Sequence, residues 1–245
     1  MKTELIAEIG QNHNGDLDLA KQLIKLAKES GADVAKFQVY DAKKLFDSSD
    51  KNKWYEYNCK TELTKDQLYY LAEYSDNLNI EFMASVFDTK RIEWLEDIGV
   101  KRYKIASRSI YDEELIECLI NTGKPLIASL GMWKGDNLPN LNSKQDIDYL
   151  HCISNYPTKL EELFIKDIDF KTYSGLSDHT IGITAACSSI VLGAKIIEKH
   201  FTLDKEMYGP DHKGSMDPSE LEFICNFRNE YEQMTWKLIF FANNF

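Results

Sequence analysis

Serines, lysines and histidines recur in this chain at the ends of short apolar runs. Glu8, Lys36, Gln38, Ser85, Lys104, Ser107, Ser129, His151, Ser177, His179 and His200 close or follow such runs, and His13 and His212 fall in the loops after the first and the last. A hydroxyl and an ammonium presented together at several strand ends are what a phosphate or carboxylate requires: neutral donors plus a fixed positive charge. Lys36 and Lys104 read as anion ligands at the inward-facing ends of neighbouring strands. His179 and His200 end two adjacent predicted strands, where two neutral imidazoles can converge on one divalent ion. Mn, Co, Fe and Zn accept such ligands, and positions left to water or substrate suit Lewis-acid catalysis. Asp178 stays open between a helix cap and a reactive acid.

The elements that must hold these residues alternate along the chain. Strand-like runs at 4–9, 34–38, 80–85, 102–107, 125–129, 149–152, 173–177 and 195–200 are separated by helical stretches. Asp16 caps a stripe of Leu19, Ala20, Leu23, Ile24 and Ala27, which Gly31 ends. Thr64-Lys65-Asp66-Gln67 has the form of a capping box, and Asp217-Pro218-Ser219-Glu220 combines an N-cap, a first-turn proline and a glutamate. Further helices are predicted over 89–98, 112–121 and 181–192. Residues 133–146 are too polar and Asn-rich for a helix, and 158–169 hold a short one at most. Eight βα units without linker or repeat predict an α/β fold, a single (β/α)8 TIM barrel whose fifth and sixth crossover helices are short or missing. Active sites of such barrels lie at the C-terminal strand ends, where these polar residues fall. The competing doubly wound sheet lacks its Gly-rich dinucleotide fingerprint.

Composition narrows the function class. The 245 residues are 43% hydrophobic, enough for one large core, and length fits one barrel of roughly 250 residues. With 29 basic and 40 acidic residues the formal charge is −11, which argues against a nucleic-acid partner but not against a small anion held by local lysines. Five scattered cysteines form no C-x-x-C pair, so they read as buried thiols in a reducing compartment. The absence of a run of about 18 apolar residues, and an N-terminus too short and acidic for a signal peptide, predict a cytoplasmic protein with no membrane partner. Residues 1–235 are expected to form the barrel and 236–245 an apolar tail. That tail, Trp236-Lys237-Leu238-Ile239-Phe240-Phe241, either extends the last helix over the barrel or forms the interface of a homodimer.

Seven segments resemble the sialic acid (N-acetylneuraminate) synthase family. They are AEIGQNHNG (7–15), KFQ (36–38), KIAS (104–107), LHCISNYPT (150–158), GLSDHT (175–180), IEKHFTLD (197–204) and GPDHKGSMDP (209–218), in family order over almost the whole chain. The resemblance implies a barrel that condenses phosphoenolpyruvate with an aldose, an N-acylmannosamine-like amino sugar. The products would be a 3-deoxy-nonulosonic acid and phosphate. It implies a divalent metal (Mn2+, Mg2+ or Co2+) on His179 and His200. Lys36, Ser85, Lys104, Ser107, Ser129 and Ser177 then hold phosphoenolpyruvate, while Glu8, Gln38, Tyr156 and Asp211 surround the reacting carbons and the sugar. Glu8, Asp211 and His200 are the candidate catalytic residues, the two carboxylates for proton transfer.

The resemblance also has departures. It stops before the antifreeze-like domain that follows the barrel in relatives and contacts the N-acyl group from a partner subunit. The acid that relatives use on the sugar after the KIAS-type motif is Ser109, with Arg108 beside it. A Ser-Thr-Gly-Met is Ser129-Leu130-Gly131-Met132, and an Asn before the motif tyrosine is Ser154. The sugar is thus less defined than the metal and phosphoenolpyruvate. Two further readings follow: the same condensation on a phosphorylated or non-acylated sugar, or a non-catalytic binding or regulatory paralogue.

Overall fold

The computed structural model describes residues 2–45 and 53–242. Eight parallel strands, β1 (Glu4–Gly10), β2 (Val34–Val39), β3 (Glu81–Val86), β4 (Tyr103–Ile105), β5 (Leu126–Ser129), β6 (Ile147–Cys152), β7 (Gly175–Asp178) and β8 (Ile196–His200), pair in chain order. Pairing of β1 with β8 closes them into a barrel. The predicted (β/α)8 barrel is therefore the fold.

Strand residues two apart face the same side, so each strand delivers an inner and an outer series. The outer series, including Leu5, Ala7, Ile9, Ala35, Phe37, Val39 and Leu176, joins the helices in one large apolar shell. The inner series begins with an apolar plug of Ile6, Val34, Met83, Ile127, Leu150 and Ile196, all nearly inaccessible. Two residues further along, the inner series turns polar: Glu8 after Ile6, Lys36 after Val34, Ser85 after Met83, Ser129 after Ile127, Cys152 after Leu150 and Glu198 after Ile196. The plug closes the barrel below. The polar layer opens at the C-terminal strand ends.

The helices start where local chemistry starts them. In α1 (Leu17–Glu29), Asp16 accepts from the amides of Asp18 and Leu19. The capping box of Thr64 and Gln67 opens α4 (Lys65–Asn77), after two short helices, α2 (Ala42–Leu45), where Asp41 accepts from the amides of Lys43 and Lys44, and α3 (Lys53–Thr61). In α5 (Thr89–Ile98), Asp88 caps the start, and Gly99 at φ 80° ends the helix in the left-handed region. Asp112 caps α6 (Glu113–Asn121). No helix spans β5 to β6, and the next crossover holds only α7 (Leu160–Leu163) and a 3-10 turn. Helix α8 (Thr184–Val191) begins later than the 181 expected, and α9 (Pro218–Ala242) runs unbroken past residue 235. The last three residues of the apolar tail lie outside the described residues. No described helix is long and apolar enough to cross a membrane.

Candidate active site

The polar layer is organised around two buried lysines and two carboxylates, one of them shared between the lysines. Lys36 Nζ lies 2.6 Å from Glu8 Oε2 and 3.6 Å from Glu198 Oε2. Lys104 Nζ lies 3.1 Å from Glu198 Oε1. Lys36 also donates to Ser85 Oγ at 3.0 Å, and Lys104 to Ser129 Oγ at 2.7 Å. Ser177 Oγ donates to Glu198 Oε1 at 3.1 Å, and Gln38 Nε2 to Glu8 Oε1 at 3.0 Å. Both lysines are about as buried as core leucines. Burial opposes charge on Lys36, but Glu198 and Glu8 together hold its ammonium above the ordinary range. Lys104 is shifted down, first by burial, with Lys36 adding repulsion against the pull of Glu198. Burial acts to raise the Glu198 carboxyl, yet the two lysines keep it well below the usual range.

The lysines are not on neighbouring strands, as the spacing had suggested. They stand on β2 and β4, and β3 places Ser85 between them, in register with Lys104. An anion there meets two cations from opposite sides and a hydroxyl from the middle. Ser107, in a 3-10 turn after β4, accepts from the Gly131 amide at 3.1 Å and lies 3.5 Å from Cys152 Sγ. A Cβ at Gly131 would collide with Ser154 Oγ and come within 2.8 Å of Cys152 Sγ. The glycine keeps the space between Ser107, Cys152 and Ser154 open.

Above this layer the two histidines meet. His179 and His200 have ring centroids 5.8 Å apart, and Tyr156 covers His179 at 4.1 Å. They line a cavity of about 100 Å3 with Pro157, Pro210, Asp211 and Lys213. A wider cavity of about 610 Å3 continues outward past Gln38, Asn58, Trp54, Arg108, Met132 and Asp211. Asp211 is carried by the loop after β8, which is tied back where Met216 N donates to His200 O at 2.8 Å.

Among the described residues no group of three or more His, Cys, Asp or Glu side chains is arranged to hold a metal ion. The two imidazoles nevertheless fit one. His179 Nδ1 donates to Ile153 O at 2.8 Å, so that in the neutral ring Nε2 is the lone-pair donor. Burial acts to lower the His179 pKa, but Cys152 and the Ile153 carbonyl together hold it above the ordinary value. His200 Nδ1 is buried without a partner, and burial lowers the His200 pKa, favouring the neutral form a metal needs. Asp211 shares their cavity and supplies an oxygen donor.

Other polar residues at strand ends do not join the site. His13 is buried near Phe37 at a centroid distance of 6.0 Å, accepting from the Gly15 amide. His212 is held by Thr202 Oγ1 at 2.6 Å and by Asn14 Oδ1. His151 is on the outer series of β6, edge-on to Tyr173. Asp178 is neither the cap of α8 nor a reactive acid facing the cavity. It ends β7 on the outer series, with its carboxylate bonded to Thr180 and Lys199. Conversely, Glu198 and Cys152 escaped the sequence reading. The signal for Glu198 was parity: it stands two before His200 on one strand and so faces the same interior.

A cavity of about 720 Å3 between α6 and the β5–β6 loop contains neither lysine nor histidine. The chemistry concentrates at the barrel mouth. Comparison with known proteins agrees. The NeuB family model matches residues 23–237. The N,N'-diacetyllegionaminic acid synthase of Campylobacter jejuni is 38% identical over 91% of this chain and 75% of its own length. The human N-acetylneuraminate-9-phosphate synthase is 34% identical over 89% of this chain and 67% of its own. A crystal structure of the sialic acid synthetase of Leptospira borgpetersenii superposes with a TM-score of 0.87 at 30% identity, covering 96% of this chain and 85% of that one. A family match over most of the barrel, with relatives named as synthases, makes this chain an enzyme and a member of the NeuB family.

Proposed function

We propose that the protein condenses phosphoenolpyruvate with an aldose, an N-acylmannosamine-like sugar, giving a 3-deoxy-nonulosonic acid and inorganic phosphate. The observation that carries this reading is the pair of buried lysines with their serines directly beneath a two-histidine cavity. Lys36, Lys104, Ser85, Ser107, Ser129 and Ser177 bind the phosphate and carboxylate of the enol donor through charge-assisted hydrogen bonds. In the wider cavity, Gln38, Tyr156 and Asp211 orient the open-chain acceptor. A divalent ion (Mn2+, Mg2+ or Co2+) on His179 and His200 would supply Lewis-acid polarisation of the acceptor carbonyl. The enol carbon bonds to the aldehyde carbon, water adds at the donor's C2, and the C2–O bond to phosphate breaks. Glu8 and Asp211 move the protons, one from water and one to the new alkoxide.

The test is phosphate release from phosphoenolpyruvate with Mn2+ and a panel of hexoses, hexosamines and their phosphates. Release only when an acceptor is present supports the synthase. No release with any sugar in the panel rejects it and favours a binding or regulatory paralogue. Turnover unchanged in His200→Ala rejects the metal assignment.

Arg108 favours a second reading of the acceptor. It lines the wider cavity, donates to Leu45 O at 3.3 Å, and stands beside buried Ser109. A guanidinium at the mouth suits an acceptor that carries a phosphate or another anionic group.

A further inference from the structure

Directly behind the two histidines, on the outer series of the barrel, a second pair of residues joins the same two strands. Asp178 on β7 and Lys199 on β8 are register partners, and each stands one position before a histidine. Alternation therefore points them away from the cavity while His179 and His200 face it. Lys199 Nζ lies 2.9 Å from Asp178 Oδ2 and also donates to the backbone carbonyl of Thr180. Asp178 Oδ1 accepts from both the amide and the hydroxyl of Thr180 at 2.8 Å. The two charged side chains are 1% and 0% exposed.

A buried ion pair adds little net stability over apolar residues of the same volume, because desolvation offsets the attraction. Its bonds do define geometry. Here they grip the two peptide units on either side of Thr180, directly after His179: Asp178 holds the Thr180 amide, and Lys199, adjacent to His200, holds the Thr180 carbonyl. The turn is held from its other side by Thr158, whose amide donates to His179 O at 2.9 Å. The spacing of the two imidazoles is thereby coupled to one hydrogen-bonded unit outside the site.

We infer that Asp178, Lys199 and Thr180 form a clamp that sets the separation of His179 and His200 for a divalent cation. They are positioning residues, and the inference rests on the two-histidine assignment proposed above. The experiment is Mn2+ titration of the purified full chain, with the visible spectrum of the Co2+-loaded protein, for Asp178→Asn, Lys199→Met, Thr180→Val and His200→Ala.

Asp178→Asn and Lys199→Met weaken Mn2+ binding about 10- to 100-fold, the usual effect of losing a partner that orients metal ligands, and alter the Co2+ bands. Asp178→Asn with Lys199→Met loses less than the two single effects combined, because both remove one pair. Thr180→Val, which keeps the ion pair and the shape, loses about fivefold, as one hydrogen bond is worth. It decides the matter if the charge variants fail to fold. Wild-type Mn2+ affinity and Co2+ bands in every folded clamp variant, with binding lost in His200→Ala, overturn the clamp and leave the histidine site standing. Undiminished binding in His200→Ala overturns the histidine site and the clamp with it.

Discussion

Glu198 Oε1 lies 3.1 Å from Lys104 Nζ inside the barrel, and the other oxygen of the same carboxylate faces Lys36 at 3.6 Å. One acid thus separates two buried cations at the point where an anionic substrate is proposed to bind. Glu198→Gln should destabilise the protein by about 3–5 kcal/mol, the cost of breaking a buried pair from one side. Inorganic phosphate should then raise the melting temperature of the variant more than that of the wild type, since it supplies the missing negative charge. Thermal unfolding at rising phosphate checks this, and equal shifts in both proteins count against an anion pocket between the lysines.

Gly131 tests the other wall of that pocket. A methyl group at this position would press on Ser154 and Cys152 and lie 3.1 Å from Ser107 Oγ. Gly131→Ala should cost about 1–3 kcal/mol of stability through overpacking. It should also raise the KM for phosphoenolpyruvate more than that for the sugar. Denaturant unfolding and a two-substrate kinetic matrix measure both. Unchanged phosphoenolpyruvate kinetics would mean that Ser107 stands away from the donor.

Arg108 tests the acceptor. If the acceptor carries a phosphate, Arg108→Ala removes a charged hydrogen bond worth about 1.5–3 kcal/mol, so kcat/KM should fall about 10- to 100-fold for a phosphorylated hexosamine. For the neutral sugar the change should stay within about twofold, since no bond to charge is lost. Parallel losses on both acceptors would assign Arg108 to the structure of the cavity rather than to recognition.

His13 makes stability depend on pH. Burial lowers its pKa to about 4, against the pull of Asp16, while the unfolded chain titrates near 6.5. Between these values the unfolded state binds the proton and the folded state does not. The contribution is therefore full above pH 6.5, falls as pH drops toward about 4, and is flat below. The whole span is worth about 3 kcal/mol, and His13→Gln should flatten that part of the profile. Urea unfolding at a series of pH values measures the slope; an unchanged slope would assign the acid sensitivity to other groups.

Much of this is legible in the sequence. Eight βα units were readable because a fully buried strand is a short apolar run and a helix a 3.6-residue stripe. The thin crossovers were readable too, in the Asn-rich stretch after Ser129 and the short one after Thr158. Helices α2 and α3 were not, because α2, though capped by Asp41, is too short to show a stripe, and α3 has no strong apolar stripe. Yet α3 brings Trp54 and Asn58 to the outer cavity.

The sequence by itself determined the barrel, the family resemblance and the residue types at the strand ends, since these depend on local periodicity and motif. Only the tertiary structure decided which of those residues face one another. Closing the barrel with a two-residue alternation turned Glu8, Lys36, Lys104, Glu198 and His200 inward and Asp178, Lys199 and His151 outward. It also set β3 between the two lysines and gave them a shared carboxylate that no spacing along the chain encodes. Parity along a strand is a local property, but the strand on the far side of a closed barrel is not.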